Sequence, residues 1–168
     1  MLYVKEINFD DIEEEYRFVR DIPFDENGFI NEWHGCTREE FFEVVRRRIA
    51  YSKGEELPVG YVPETFLYLW KEDTIVGEFR IRHFLCDSLR EGAGHIGYFI
   101  GKEHRGCGYA TEGLRLTLEV ARKIVLEEEI YLRVNKDNPA SLAVMLKNGG
   151  KIHHEDEEKI YVRILREC

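Results

Sequence analysis

Between residues 94 and 135 the chain reads strand, glycine-rich turn, helix, strand, and this succession limits the fold more than any other feature. "GHIGYFIG" is a strand, and "GKEHRGCGYATEG" packs four glycines into the lead-in to a helix. That helix carries Leu114, Leu118, Ala121 and Val125 on one face, and "EIYLRVN" is the next strand. A βαβ order of this kind belongs to α/β sheet proteins. Glycine in a regular element is unfavourable by about 0.5–1 kcal/mol relative to alanine, so the cluster implies a backbone that must meet something closely.

The flanking sequence extends the same pattern. Residues 2–7 alternate as a strand, and Ile12, Tyr16 and Val19 follow at helical spacing. Residues 23–35 combine turn chemistry with large apolar side chains, which predicts an ordered loop. Thr37 and Glu40 form a capping box opening a second helix that ends near Gly54. Residues 64–85 read as a hairpin turning at Glu72 and Asp73. A helix capped by Asn138, with Pro139 first and Gly149-Gly150 as its stop, precedes a closing hairpin. The predicted order is β α α β β β α β α β β, a mixed α/β sheet in one domain over residues 1–168, with no repeat or linker.

Composition narrows the partners. A formal net charge of −9 disfavours nucleic acid or an anionic membrane as a partner. Cys36, Cys86, Cys107 and Cys168 are widely spaced, with no metal-site pattern, as expected of a reduced cytoplasmic chain that holds no metal. The acidic first residues do not resemble a signal peptide, and no apolar run is long enough to cross a bilayer.

A glycine turn at a helix start exposes unpaired amides at the positive end of the helix dipole, which suits a phosphate. A tight turn with no ligand is the plain alternative. A Walker loop would end Gly-Lys-Ser/Thr, which is absent, and the dinucleotide pattern G-x-G-x-x-G fails because "GCGYAT" ends in Thr111.

Arg105-Gly106-Cys107-Gly108-Tyr109-Ala110 resembles the R/Q-x-x-G-x-G/A signature of the GNAT superfamily, the acyl-CoA-dependent N-acetyltransferases. "VNKDNPASLAVMLKNGGKI" resembles that family's next strand and helix, and the N-terminal half resembles a subgroup with no assigned substrate. The resemblance implies a mostly antiparallel twisted sheet flanked by about four helices. It also implies acetyl-CoA as co-substrate. Backbone amides from Arg105 to Ala110, with Thr111 beside them, would hold its pyrophosphate. Phe99 and Ile100 would pair with the pantetheine arm through their backbone and supply the oxyanion N–H. Asn138 and Ser141 would lie by the thiol, although Asn138 could serve as a helix cap, Ser141 as a solvated helix position, and Tyr109 as packing.

Acetyl transfer to a primary amine of a small molecule or peptide needs a deprotonated nitrogen. His95 stands where many relatives carry a glutamate, which makes it the first candidate base, with a histidine that merely starts the strand as the alternative. Glu78 is the second, with an ion pair to Arg80 or Arg82 as its alternative, and His83 is the third. The tyrosine that relatives place seven residues after the helix-opening asparagine is Met145 here, which leaves Ser141, water or no acid for the departing thiolate. Cys107, at a helix N-terminus, reads as a small loop residue more than a reactive thiol. Asp25, Glu26, Glu32, Glu39 and Glu40 hint at a cationic acceptor or simply form a solvated surface. An acyl-CoA-binding sensor and a ligand-free structural domain are the competing readings. A homodimer is compatible with the sequence.

Overall fold

The computed structural model describes residues 1–26 and 28–167. Asn27, in the expected 23–35 loop, and Cys168 lie outside the described residues. The chain begins with β1 (Leu2–Glu6), α1 (Ile12–Arg20), β2 (Asp25–Glu26), β3 (Phe29–Ile30) and α2 (Arg38–Ser52). It continues through β4 (Glu64–Lys71), β5 (Thr74–Arg82), α3 (Asp87–Arg90) and β6 (Ile96–Ile100). After α4 (Tyr109–Ile124) come β7 (Glu129–Asn135), α5 (Pro139–Lys147), β8 (Lys151–Glu155) and β9 (Lys159–Leu165). The expected order is present. The structure adds the β2–β3 hairpin inside the expected loop and the single-turn α3, both too short to leave a periodicity in the sequence.

Local chemistry explains the boundaries. The Thr37 hydroxyl accepts from the Glu40 amide at 3.2 Å while the Glu40 carboxylate accepts from the Thr37 amide at 2.7 Å, closing the capping box that starts α2. Glu72 takes φ 55°, the left-handed conformation that reverses the chain between β4 and β5.

β1, β4, β5 and β6 form one antiparallel sheet in the order β1-β4-β5-β6, and β7, β9 and β8 form another in the order β7-β9-β8. α4 lays Leu114, Leu118 and Ala121 against Leu67, Leu69, Phe79 and Ile81 in a core that continues through Ile130, Leu132 and Val162 of the second sheet. α1 and α2 cover the opposite face with Val19, Phe41, Val44 and Val45 packed on Phe66 and Trp70. Each fully buried leucine or phenylalanine contributes about 1.5–3 kcal/mol by leaving water.

The two sheets meet at one point. The His95 amide donates to the Tyr131 carbonyl, and the Tyr131 amide donates to His95 Nδ1, both at 2.8 Å. Gly94 makes this approach possible: it sits at φ 69°, and a Cβ there would lie 2.3 Å from the Tyr131 carbonyl oxygen. Beyond this junction no ladder joins β6 to β7, so a gap opens within the sheet layer.

Candidate functional site

A cavity of about 620 Å³ fills that gap. Its walls include Gly97 to Ile100 of β6, Val134 and Asn135 of β7, and Ser141, Val144 and Met145 of α5. His104, Arg105, Gly106, Gly108 and Tyr109 form one end, where β6 runs into the glycine loop. Arg80, Arg82 and Arg133 line the other. Arg80 pairs with Gly97 in the β5–β6 register, and the Arg82 amide donates to the His95 carbonyl, so this end lies at the start of β6, beside the junction of the sheets. At a rise of about 3.3 Å per residue the two ends stand roughly 10–16 Å apart along the strand.

The four glycines of the cluster have different jobs. Gly106 and Gly108 lie at φ 74° and 78°, with nothing within 4 Å of where a Cβ would sit, so both are required by backbone conformation and open onto free space. Gly113 is a packing glycine, because a Cβ there would stand 2.5 Å from the Phe79 ring. Gly101 faces Phe18 and His104. The first amide of α4 to enter the helical ladder is that of Glu112, which donates to Gly108 at 3.2 Å. The amides from Gly106 to Thr111 are therefore outside that ladder, at the positive end of a 16-residue helix. That arrangement fits a pyrophosphate. Arg105 braces the loop: its Nε donates to the Ile100 carbonyl at 3.1 Å, and Nη1 meets Glu26 of the β2–β3 hairpin at 3.0 Å. Ala110 and Thr111 also line the cavity, whereas Cys107 points its thiol at the Arg105 carbonyl, 3.7 Å away, and is exposed.

The register of β6 refines the strand's expected role. The Gly101 amide donates to Val76 of β5 at 2.9 Å, and antiparallel bonding alternates along a strand, so Phe99 and Gly97 also turn their main-chain groups toward β5. The main-chain groups of Tyr98 and Ile100 face the open edge. The expectation that the Phe99 backbone pairs across the cleft is thus corrected by one residue. The Phe99 ring instead packs on Phe29 of the hairpin at 4.8 Å, closing part of the cavity.

On the far wall the Asn138 side chain accepts from the Ser141 amide at 3.2 Å and caps α5, while still lining the cavity. Ser141 Oγ lies 2.6 Å from the hydroxyl of Tyr98, which also donates to the Ser141 carbonyl at 3.1 Å. Burial pushes the Tyr98 phenol up to about 12, so it keeps its proton at neutral pH. Met145 is buried and joins the core. Tyr98 escaped the sequence reading because strand alternation alone marks it as a core aromatic.

The expected bases are elsewhere. His95 is fully buried and is not among the cavity's lining residues. Its Nδ1 accepts from the Tyr131 amide, so Nε2 carries the proton and donates to Glu127 at 2.9 Å. No lone pair is left for a substrate, and the assignment of His95 as base is corrected to a pin between the sheets. No sequence spacing links it to Glu127. Glu78 is 3% exposed and lies against Arg48 of α2 at 3.4 Å, neither in the cavity nor paired with Arg80 or Arg82 as expected. His83 bonds Thr65 at 2.7 Å, away from the cavity. Of the acidic residues at 25, 26, 32, 39 and 40, only Glu26 lines the cavity, at the glycine-loop end. No group of three or more potential metal ligands occurs among the described residues, and no helix among them is long and apolar enough to cross a membrane.

No curated protein sequence matches the chain. Solved structures do. Spermidine N-acetyltransferase from Vibrio cholerae, in complex with CoA and spermine, is 15% identical with a TM-score of 0.66, covering 98% of this chain and 95% of that one. A GNAT-family acetyltransferase from Bacillus anthracis is 20% identical with a TM-score of 0.65, covering 99% and 96%. The N-acetyltransferase PseH of Campylobacter jejuni, in complex with acetyl coenzyme A, is 14% identical with a TM-score of 0.60, covering 98% and 99%. These likenesses establish the fold. Residues 4–151 match the family model of the acetyltransferase (GNAT) domain, and the chain belongs to that family.

Proposed function

We propose that residues 1–168 form one N-acetyltransferase domain that moves an acetyl group from acetyl-CoA to a primary amine of a small molecule or peptide. The observation that carries this reading is the pair of left-handed glycines, Gly106 and Gly108, opening α4 at one end of a cavity that continues along the unpaired edge of β6. The free loop amides receive the pyrophosphate. The open-edge groups of Tyr98 and Ile100 pair with the pantetheine arm, and one of their amides holds the carbonyl oxygen as negative charge develops on it. The amine nitrogen attacks the thioester carbon, the carbon–sulfur bond breaks, and the amine's proton leaves to water.

The Tyr98–Ser141 hydroxyl pair supports the departing thiolate. A phenol pushed up to about 12 does not surrender its proton to a thiolate whose ordinary pKa is about 8.5, so the pair acts as a hydrogen-bond donor and not as a net acid. At the arginine end no carboxylate or imidazole among the described residues lines the cavity. The amine is therefore taken up in its neutral form, roughly 10⁻³ to 10⁻⁴ of a lysine-like amine at pH 7. The coenzyme is the same one seen bound to the Vibrio cholerae and Campylobacter jejuni enzymes.

The withdrawal of His95 and Glu78, together with Met145, favours a second reading, an acyl-CoA-binding sensor without turnover. One experiment separates the two: CoA release from acetyl-CoA is followed with a panel of amines across pH. A transferase releases CoA at a rate that climbs toward the acceptor's own pKa. Binding of CoA by calorimetry with no release for any amine makes the protein a sensor, and no binding overturns both.

A further inference from the structure

We propose that the arginine end of the cavity is an oxyanion subsite, so that the amine acetylated here also carries a carboxylate or phosphate. This rests on the transferase reading and names its substrate class. Arg80, Arg82 and Arg133 line that end, against the trend of a chain whose net charge is −9. Among the described residues a single carboxylate, Glu64 on β4, lies at ion-pair distance from two of them, 3.4 Å from Arg82 Nε and 3.9 Å from Arg80 Nη1. One negative charge is thus shared between two guanidinium groups, and neither contact has the short bidentate geometry of a saturated pair. Arg133, exposed on β7, has no carboxylate at ion-pair distance among the described residues.

Donors are in surplus as well as charge. Arg80 Nε is buried without a hydrogen-bond partner, although the side chain reaches the cavity. Arg82 uses Nη1 on the Gly94 carbonyl at 3.2 Å. Burial and then the neighbouring positive charge of Arg80 press Arg82 down to about 10, against the pull of Glu64. The charge on the three guanidinium groups exceeds what Glu64 supplies, and an arriving oxyanion neutralises that excess through charge-assisted hydrogen bonds from the groups that line the cavity. The site lies beside Gly97, at the opposite end of β6 from the loop that takes the pyrophosphate, so the coenzyme's own phosphates do not account for it. A polyamine, cationic at every nitrogen, would meet like charge here.

Matched acceptors isolate the effect: short ω-amino acids against alkylamines of the same length, and phosphoethanolamine against ethanolamine. The oxyanion-bearing member of at least one pair is expected to show kcat/KM higher by roughly tenfold or more, the value of one charge-assisted contact, and the pair that responds identifies carboxylate or phosphate as the source. In Arg80→Gln that preference collapses toward one through KM, CoA affinity stays unchanged, and Arg80→Lys restores part of it. Alkylamines or polyamines that match or exceed the acids overturn the proposal. So does a loss of CoA affinity in Arg80→Gln, which would give the arginines to the coenzyme. If CoA binds but no amine turns over, the transferase reading fails separately. The subsite is then read by titrating N-acetylglycine and phosphoserine into CoA-saturated protein: binding that Arg80→Gln abolishes upholds it, and no binding to the wild type overturns it.

Discussion

At the glycine-loop end of the cavity recognition is built from main chain, while at the arginine end it is built from side chains. The loop offers amides from Gly106 to Thr111, placed by two left-handed glycines and the axis of α4. The far end offers two guanidinium groups from β5, held loosely by one carboxylate, and a third from β7. Main-chain recognition depends on conformation and is indifferent to most neighbouring side chains. Side-chain recognition can be altered by a single substitution without moving the fold, which suits a family in which one coenzyme serves many acceptors.

The sharpest break of this contrast is Gly108→Val. A β-branched residue is forced into a left-handed position, the amides lose their alignment, and CoA affinity falls by roughly two orders of magnitude or more, the loss of two charge-assisted contacts. Calorimetry reads the affinity and circular dichroism confirms the fold; undiminished affinity would sink the loop's assignment.

His95→Ala tests the pin between the two sheets, beside the arginine end. It strips partners from Glu127 and the Tyr131 amide and leaves a cavity, lowering stability by about 2–4 kcal/mol in denaturant unfolding. Turnover measured where the variant is folded should not show the 10²- to 10⁴-fold loss expected of a missing general base, and such a loss would restore the catalytic assignment. The wild type carries a matching pH signature. Burial holds the His95 imidazole below its ordinary 6.5, so its contribution to stability is complete above that pH and declines as pH falls through the folded-state value.

Behind the arginine end, on the α1/α2 face of the sheet, Glu15 gives the opposite slope. Burial pushes its carboxyl up to about 8, and Oε2 has no partner. Its contribution is complete below 4.5 and is lost as pH rises to about 8. Glu15→Gln keeps an oxygen for the Asn8 amide, so it should raise the melting temperature at alkaline pH and leave it nearly unchanged in acid. An equal shift at both pH values would refute the buried-acid account. The smallest effect belongs to Cys107→Ser: stability within about 0.5 kcal/mol and unaltered CoA affinity, as a main-chain site requires.

The same division decided what could be read in advance. The helix face of Leu114, Leu118 and Ala121, the capping box at Thr37 and the glycine signature are periodic or local, so each is visible within a few residues of sequence. Gly106 and Gly108 are local in the same sense, because a left-handed backbone asks for glycine directly. The His95–Glu127 bond spans 32 positions, and the Arg80–Glu64 contact joins neighbouring strands whose register only the folded sheet defines. Tyr98 reads as core by alternation, and only the gap between the sheets reveals that its hydroxyl faces a cleft.

The gap also leaves two strand edges unpaired in the interior of the molecule. Exposed edges of this kind invite other chains to add themselves, which is how sheet proteins aggregate. Here β6 and β7 are recessed behind α5 and the β2–β3 hairpin, where Phe29 closes on Phe99. A polypeptide strand brings side chains on both faces and needs nearly 5 Å of clearance on either side. A thioester arm that branches only near its phosphate end needs less, so the recess hinders the partner that would polymerise the protein and leaves an edge for the one proposed to complete the sheet.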